Sequence, residues 1–303
     1  MKGVSMLLSV IVPLYNEEKI VEKTFSVLEE ELKNIEHEII FVNDGSKDKT
    51  REILEKLLLQ TPHNKLVNFS RNFGHQAAFS AGIDKAEGDA VVIIDGDLQD
   101  PPALIHAMLE KWREGYQVVY AQRRKRKGET FFKKFTAYAF YRCFAKLTNI
   151  EIPPDTGDFR LMDRVVVDHL KNLPERSRFL RGLVCWVGFK KIGVFYDRAE
   201  RTAGKSKYPF RKMFRLAFDG ITGFSSAPLK ISFSVGCLST LLAMALFIWT
   251  ILEKILTPET TVPGWASLMT AIVFLGGVQL ISIGILGEYI GRIYEEVKQR
   301  PLY

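Results

Sequence analysis

Residues 91–102 read VVIIDGDLQDPP, an apolar run that ends in Asp95 and Asp97, one residue apart, with Asp100 ahead of a double proline. The run is the reading of a buried strand, and Asp-Gly is a turn dipeptide for which one aspartate suffices. Two carboxylates at the end of a buried strand repel each other, so a cation or hydrogen-bond donors must offset them.

The same punctuation recurs upstream. Strand-like runs at 8–15, 37–44, 65–70, 90–97 and 117–122 alternate with amphipathic segments that predict helices over 17–33, 47–59, 76–86 and 102–113. Repeated βα units predict an α/β fold with a parallel sheet and helices on both faces, and such sheets bind ligands at the carboxyl ends of their strands. Three strand ends, PLYNEE, NDGSKD and DGDLQD, leave Glu17, Asp44, Asp95 and Asp97 on that rim. Neither a G-x-G-x-x-G fingerprint nor a P-loop follows any strand. An acidic rim without a glycine cradle holds a phosphate through Mg²⁺ or Mn²⁺, whose oxygen ligands are carboxylates on one side and diphosphate oxygens on the other.

The chain has 303 residues and a net charge of +7. The basic excess suits nucleic acid, an anionic membrane surface or a phosphorylated substrate. Two stretches, about 227–252 and 265–288, reach the roughly 20 apolar residues that span hydrocarbon, and are read as transmembrane helices. Arg211, Lys212, Arg215 and Lys230 precede the first and Arg292, Lys298 and Arg300 follow the second, whereas the connection carries only Lys254. The bias places both termini in the cytoplasm. The opening residues lack a signal-peptide pattern. Cys143, Cys185 and Cys237 lie far apart and the five histidines are scattered, so no disulfide framework or histidine-based metal site is expected.

Six segments then occur in a telling order: VIVPLYNEE, VNDGSKDKT, SRNFGHQAAFSAG, DGDLQDPP, DTGDFRLMDR and RTAGKSKYPF. Together with the two apolar spans they resemble the family 2 glycosyltransferases of GT-A fold, in particular the membrane-bound polyprenyl-phosphate glycosyltransferases such as bactoprenol glucosyltransferases and dolichol-phosphate mannose synthases. The resemblance implies a Rossmann-like, mostly parallel GT-A domain over 1–207, a juxtamembrane amphipathic helix over 208–226, and two transmembrane helices with a cytosolic tail over 227–303. It implies inverting transfer of a sugar from a nucleotide sugar to a polyprenyl phosphate at the cytoplasmic face of the inner (plasma) membrane. UDP-glucose is the favoured donor, with GDP-mannose or another nucleotide sugar as the alternative.

By the resemblance, Pro13, Tyr15, Glu17 and Asp44 hold the nucleotide, while Asp95, Asp97 and Gln99 hold Mg²⁺ or Mn²⁺ and the diphosphate. Chemistry agrees for two of them: Asp44 can accept from a base N–H or a ribose hydroxyl, and Tyr15 offers a face to a base. Arg201, Ser206 and Lys207 match a basic loop that closes over the diphosphate, where guanidinium and ammonium groups neutralise the leaving group. Asp158, in DTGDF, aligns with a residue often assigned as the base. A phosphate monoester has a second pKa near 6, so at neutral pH the acceptor is already largely a dianion, and Asp158 is expected to position substrate instead.

The segment 123–147 joins a cationic cluster to interleaved aromatics. A nucleic-acid patch reads similarly, but beside two membrane spans it reads as an interfacial helix over about 131–147, docking a lipid phosphate through Arg123 and Lys133 or Lys134. Three other functions compete. A processive polysaccharide synthase would carry Q-x-x-R-W and more spans; a tethered nucleotide-sugar sensor would share the fold; a two-helix channel would need charge in mid-membrane. Gly276, Gly277, Gly284, Gly287 and Gly291 offer close-packing surfaces that would suit a homo-oligomer.

Overall fold

The computed structural model describes residues 6–124, 148, 152–153, 156–176, 178–197, 222–256 and 264–303. The interfacial segment 131–147, most of the juxtamembrane helix 208–226, and Lys133, Lys134, Arg201, Ser206 and Lys207 lie outside the described residues. The chain divides into two compact units, Met1–Arg215 with Pro301–Tyr303, and Leu216–Arg300.

In the first unit the alternation of the sequence becomes β1 (Leu8–Leu14), α1 (Val21–Leu32), β2 (His37–Asn43), α2 (Thr50–Leu58), β3 (Lys65–Asn68), α3 (His75–Lys85), β4 (Ala90–Ile93), α4 (Leu104–Arg113) and β5 (Val118–Arg123). These are followed by β6 (Thr156–Asp163), α5 (Arg164–Lys171), α6 (Leu180–Trp186) and β7 (Lys191–Tyr196). Strands β1, β2 and β4 are buried along nearly their whole length, which is why they read as continuous Val/Ile runs. Helix α1 buries Val21, Thr24, Leu28 and Leu32, one face at helical spacing.

The seven strands lie in the order β3-β2-β1-β4-β6-β5-β7. All neighbouring pairs are parallel except those of β6, which runs against both β4 and β5. The strand order reverses between β1 and β4, so the crevice that accepts ligands in such sheets opens beyond Leu14 and Ile93. Pro13 is tolerated inside β1 for a related reason. Ile11 points its carbonyl at β4, where it accepts from Ile94, and residue 13 faces the same way just past the last β4 pair, Ile11 with Ile93. Its missing N–H therefore costs no ladder bond.

Helix α1 begins four residues later than its apolar pattern suggests. Residues 16–18 are tied instead to the β2–α2 loop: Asn16 N–H donates to Ser46 Oγ (3.0 Å), Glu17 N–H to Thr50 Oγ1 (2.9 Å) and Glu18 N–H to Asp48 Oδ2 (3.1 Å). Asn16 adopts φ +54°, a left-handed conformation that asparagine tolerates, and its Oδ1 accepts from Lys47 N–H.

At the opposite ends of the strands, buried Glu38 accepts from Ser9 Oγ (2.6 Å) and the Glu87 amide (2.8 Å) and pairs with Lys65 (2.7 Å). Burial raises the Glu38 pKa, but Lys65, Ser9 and the amide outweigh it and hold the carboxyl below its ordinary range. Its stabilising contribution is thus complete above the unfolded-state value and is lost as pH falls through the lower folded value. Glu38→Ala is expected to cost about 2–3 kcal/mol at neutral pH, toward the low end for breaking a buried pair because Lys65 is one-third exposed. Urea unfolding as a function of pH checks this; a loss that does not shrink in acid would count against the network.

The last residues of the chain belong to this unit. The Tyr303 ring stacks on Phe69 at 5.1 Å between centroids, and its hydroxyl donates to Asp84 Oδ2 at 2.9 Å.

The second unit contains α7 (Ala227–Leu256) and α8 (Trp265–Lys298). Ala227–Trp249, with mean hydropathy 2.1, and Ala271–Val297, with 1.8, are long and apolar enough to cross a membrane. Phe233, Leu238, Val273 and Leu280 are each more than two-thirds exposed, which favours lipid over water as their surroundings. The helices are joined by a Ser232–Ser282 hydroxyl hydrogen bond of 2.7 Å, and Tyr289 donates to the Ser225 carbonyl at 2.6 Å. Helix α8 runs ten residues beyond the apolar stretch read from sequence, its polar last turns carrying an Arg292–Glu288 pair and a Lys298–Glu295 pair.

Candidate functional site

The acidic turn after β4 is fixed from both sides. Gly96 lies flush on β1, where an added Cβ would stand 2.4 Å from Leu14 Cδ2, and its carbonyl accepts from Thr24 Oγ1 of α1 at 2.8 Å. Asp97 Oδ1 accepts from the Gln99 amide at 3.1 Å, while Leu98 between them sits at φ +53°. That conformation costs a leucine roughly 1–2 kcal/mol, a strain that packing on both sides sustains.

Strand direction brings Asp158 to the same place. Ile93 of β4 pairs with Arg160 of antiparallel β6, so two residues onward along β4 and two residues back along β6 set Asp95 level with Asp158. The β5–β6 register also shifts here: Tyr120 pairs with Arg160 but Gln122 with Thr156, so two residues of β5 span four of β6. The bulge re-aims Asp158. The carbonyls of Gly157 and Asp158 accept from Arg160 Nη2 (2.9 Å) and Nε (3.1 Å), which accounts for a buried arginine in mid-strand.

Asp158 is buried and meets Arg181 of α6 through two hydrogen bonds, Nε to Oδ1 at 2.7 Å and Nη2 to Oδ2 at 2.8 Å. Burial opposes its charge, but the Arg181 guanidinium, and next His75, hold the carboxyl well below the usual range. His75, the first residue of α3, places Nε2 3.2 Å from Asp95 Oδ1 and 3.7 Å from Asp158 Oδ2. Desolvation disfavours the imidazolium, yet the two carboxylates push its pKa up to about 10. The rim therefore carries a cation between two anions at neutral pH.

Asp95 Oδ1 is buried and faces the His75 imidazolium at 3.2 Å. The carboxylates of Asp95 and Asp97 with the side-chain carbonyl oxygen of Gln99 would make an all-oxygen donor set of the kind that suits Mg²⁺ or Mn²⁺.

The other sequence-derived candidates sit as follows. Tyr15 is exposed at 38 %, and Glu17 is half-buried on the same rim. Asp44 has a role the sequence did not reveal. Burial raises its pKa while the Phe73 and Gly74 amides oppose the rise, and its oxygens accept from those amides and from Asn72 Nδ2, holding the loop that leads into His75. Gly45 beside it, at φ +65°, leaves no room for a Cβ against Arg71. Arg123 donates to Tyr196 Oη at 3.2 Å and lies 3.9 Å from buried Asp100, which accepts the tyrosine hydroxyl. Burial and Asp100 push Tyr196 up to about 12. Arg123 thus sits at the end of β5 beside Gly157, braced by Tyr196 and Asp100.

The structure joins Asp95 to Asp158 through His75 and adds Arg181 beside Asp158, while Asp97 and Gln99 follow in the same turn as Asp95; no motif marks Arg181. His75 falls within SRNFGHQAAFSAG, where only its place at the start of a helix next to a rim loop hints at a role.

Residues 9–171 match Glycosyl transferase family 2, and residues 227–293 match the GtrB C-terminal hairpin. The uncharacterized glycosyltransferase YkcC of Bacillus subtilis (strain 168) is 52% identical over 297 residues, covering 97% of this chain and 92% of the relative. The bactoprenol glucosyl transferase of Shigella phage SfII is 45% identical over 300 residues, covering 98% of this chain and 97% of the relative. Among solved structures, glucosyl-3-phosphoglycerate synthase from Mycobacterium tuberculosis, in complex with Mn²⁺, UDP-Glc and phosphoglyceric acid, is 19% identical, covering 72% of this chain and 78% of that one at a TM-score of 0.48.

Proposed function

Since the chain belongs to glycosyl transferase family 2 and is a glycosyltransferase of GT-A fold, we propose that it transfers glucose from UDP-glucose to a polyprenyl phosphate, with inversion, at the cytoplasmic face of a membrane. The observation that carries the reading is that His75 joins Asp95 and Asp158 at one rim, with Asp97 in the same turn as Asp95, in a chain that also bears the apolar hairpin of relatives named for bactoprenol.

The protein is membrane-associated through its apolar helices. In this proposal they cross the bilayer twice and leave both termini cytoplasmic, as the basic residues flanking them favour. The open glycine face of α8 supports packing against a second copy.

In this reading Tyr15, Pro13, Glu17 and Asp44 line the nucleotide side, and Asp95, Asp97 and Gln99 hold the divalent cation. When bound, that cation offsets the negative charge developing on the nucleoside diphosphate. The chain's own residues do the rest. The His75 imidazolium, Arg201 and Lys207 add positive charge for the diphosphate, and Ser206 adds a hydroxyl donor. Arg123, with Lys133 or Lys134, receives the acceptor phosphate, whose oxygen attacks the anomeric carbon as the sugar–diphosphate bond breaks. Asp158, fixed by Arg181, orients the acceptor and sugar; held ionised by Arg181 it is a weak base, and the dianionic acceptor phosphate has no proton to give it.

The test is product formation from radiolabelled UDP-glucose and polyprenyl phosphate in vesicles containing the full chain, with GDP-mannose in a parallel arm. Labelled lipid from UDP-glucose supports the reading. Labelled lipid only from GDP-mannose overturns the donor, and nucleotide-sugar binding without lipid product would make the protein a sensor.

A further inference from the structure

The fold gathers two of the scattered histidines at the far end of the sheet from the acidic rim. His37 opens β2, His63 lies in the connection between α2 and β3, and Glu29 projects from α1. His37 Nε2 stands 3.6 Å from Glu29 Oε2 and His63 Nε2 stands 3.9 Å from Glu29 Oε1. One ligand atom from each residue lies within 4.8 Å of the others. We propose that Glu29, His37 and His63 form a binding site for one divalent transition-metal ion of the zinc class.

The orientation of His37 is the main support. Its Nδ1 is 2.8 Å from the Ile35 carbonyl, which as a pure acceptor requires the proton on Nδ1 and leaves Nε2 with a lone pair. Nε2 is buried without a hydrogen-bond partner, on a side chain only 9% exposed, and points toward Glu29 and His63. A buried lone pair without a donor carries a desolvation cost that a metal ion removes. The arrangement, with one imidazole nitrogen bound to a backbone carbonyl and the other turned to its co-ligands, is how metal-binding histidines are held.

Glu29 is braced in the same way. Its Oε1 accepts from Asn64 Nδ2 at 2.6 Å, and buried Asn64 is itself fixed by accepting the Ile39 amide at 2.8 Å through Oδ1. The imidazole rings meet edge to face, 5.4 Å apart at 88°. A tetrahedral ion with bonds near 2.0–2.1 Å spaces its ligand atoms by about 3.3 Å, so closure needs only small rotations of Glu29 and the half-exposed His63. Two imidazoles and one carboxylate suit Zn²⁺, Co²⁺ or Ni²⁺ rather than the harder Mg²⁺. The site ties α1 and the α2–β3 connection to the start of β2, which at about 3.3 Å per residue lies roughly 20 Å from the rim. It is therefore a brace for the fold rather than part of sugar transfer.

The test uses tag-free full-length protein in detergent micelles, titrated with Co²⁺ and read by visible absorption between about 500 and 650 nm, where four-coordinate Co²⁺ with nitrogen ligands absorbs. One ion per chain, displaced by Zn²⁺, is expected, with a rise in melting temperature on adding Zn²⁺. His63→Ala and Glu29→Gln are expected to weaken Co²⁺ binding by more than about a hundredfold, and the partial exposure of both side chains keeps these variants folded. Asp97→Asn is expected to leave the Co²⁺ spectrum intact, separating this site from the rim. No spectrum with the native chain, an undiminished one with His63→Ala, or its loss with Asp97→Asn would each overturn the proposal.

Discussion

Asp97→Ala is expected to lower turnover by about a thousandfold and to abolish the thermal stabilisation that Mn²⁺ and nucleotide sugar give together. Loss of metal charge at a diphosphate leaving group removes several kcal/mol of transition-state stabilisation, and about 4 kcal/mol corresponds to a factor near 10³. Asp97 also accepts from the Gln99 amide and so shapes the strained turn at Leu98. An alanine could therefore act through the backbone. Asp97→Asn separates the two effects, because its amide oxygen still accepts from Gln99 while the charge is gone. If charge is what matters, both variants lose turnover alike and keep the native melting temperature without ligands. Unchanged nucleotide-sugar affinity and turnover in either would remove Asp97 from the metal site.

Asp158→Asn is expected to cut turnover by about 10²–10³, the range for removing one preorganised polar contact from a reacting centre. The pH–rate profile should stay flat above about pH 7. The flatness follows from Arg181: with the carboxyl held well below the usual range, Asp158 does not titrate in the working range, and replacing it removes no ionisation from the profile. The substitution also removes the Asp158 carboxylate that Arg181 grips with two hydrogen bonds. A stability loss of about 2–3 kcal/mol should follow, below the full cost of a broken buried pair because Arg181 is 26% exposed. Arg181→Lys keeps the charge but loses the two-pronged contact, so it should share the turnover defect with a smaller stability loss. A steep new pH dependence in Asp158→Asn, or rescue by added base, would instead make Asp158 the general base.

The first five strands and four helices were legible because βα repeats write both periodicities plainly, and their ends agree with the structure to within a few residues. What was not legible came from pairing across distance. DTGDFRLMD is a strand whose direction cannot be known until it is seen between β4 and β5, and its antiparallel course carries Asp158 to Asp95. Arg181 comes from FLRGLVCW, a stretch without motif, because a single ion-pair partner needs no neighbouring signature. His75 and the Glu29–His37–His63 cluster were hidden for the same reason: spacing along the chain carries no information once a sheet folds the segments together. Asp44 was read from its strand-end position and from the resemblance, and the chain also uses its acceptor capacity to hold its own loop, which neither of those signals shows.

Gly96, held between Leu14 below and Thr24 above, has a thermal consequence. A turn clamped by the central strand and the first helix has no local melting of its own, so the spacing of its two carboxylates is settled when the core condenses. Heating should therefore leave the geometry of the acidic pair unchanged until the sheet gives way, and heat inactivation arising at this turn should coincide with cooperative unfolding of the first unit rather than precede it.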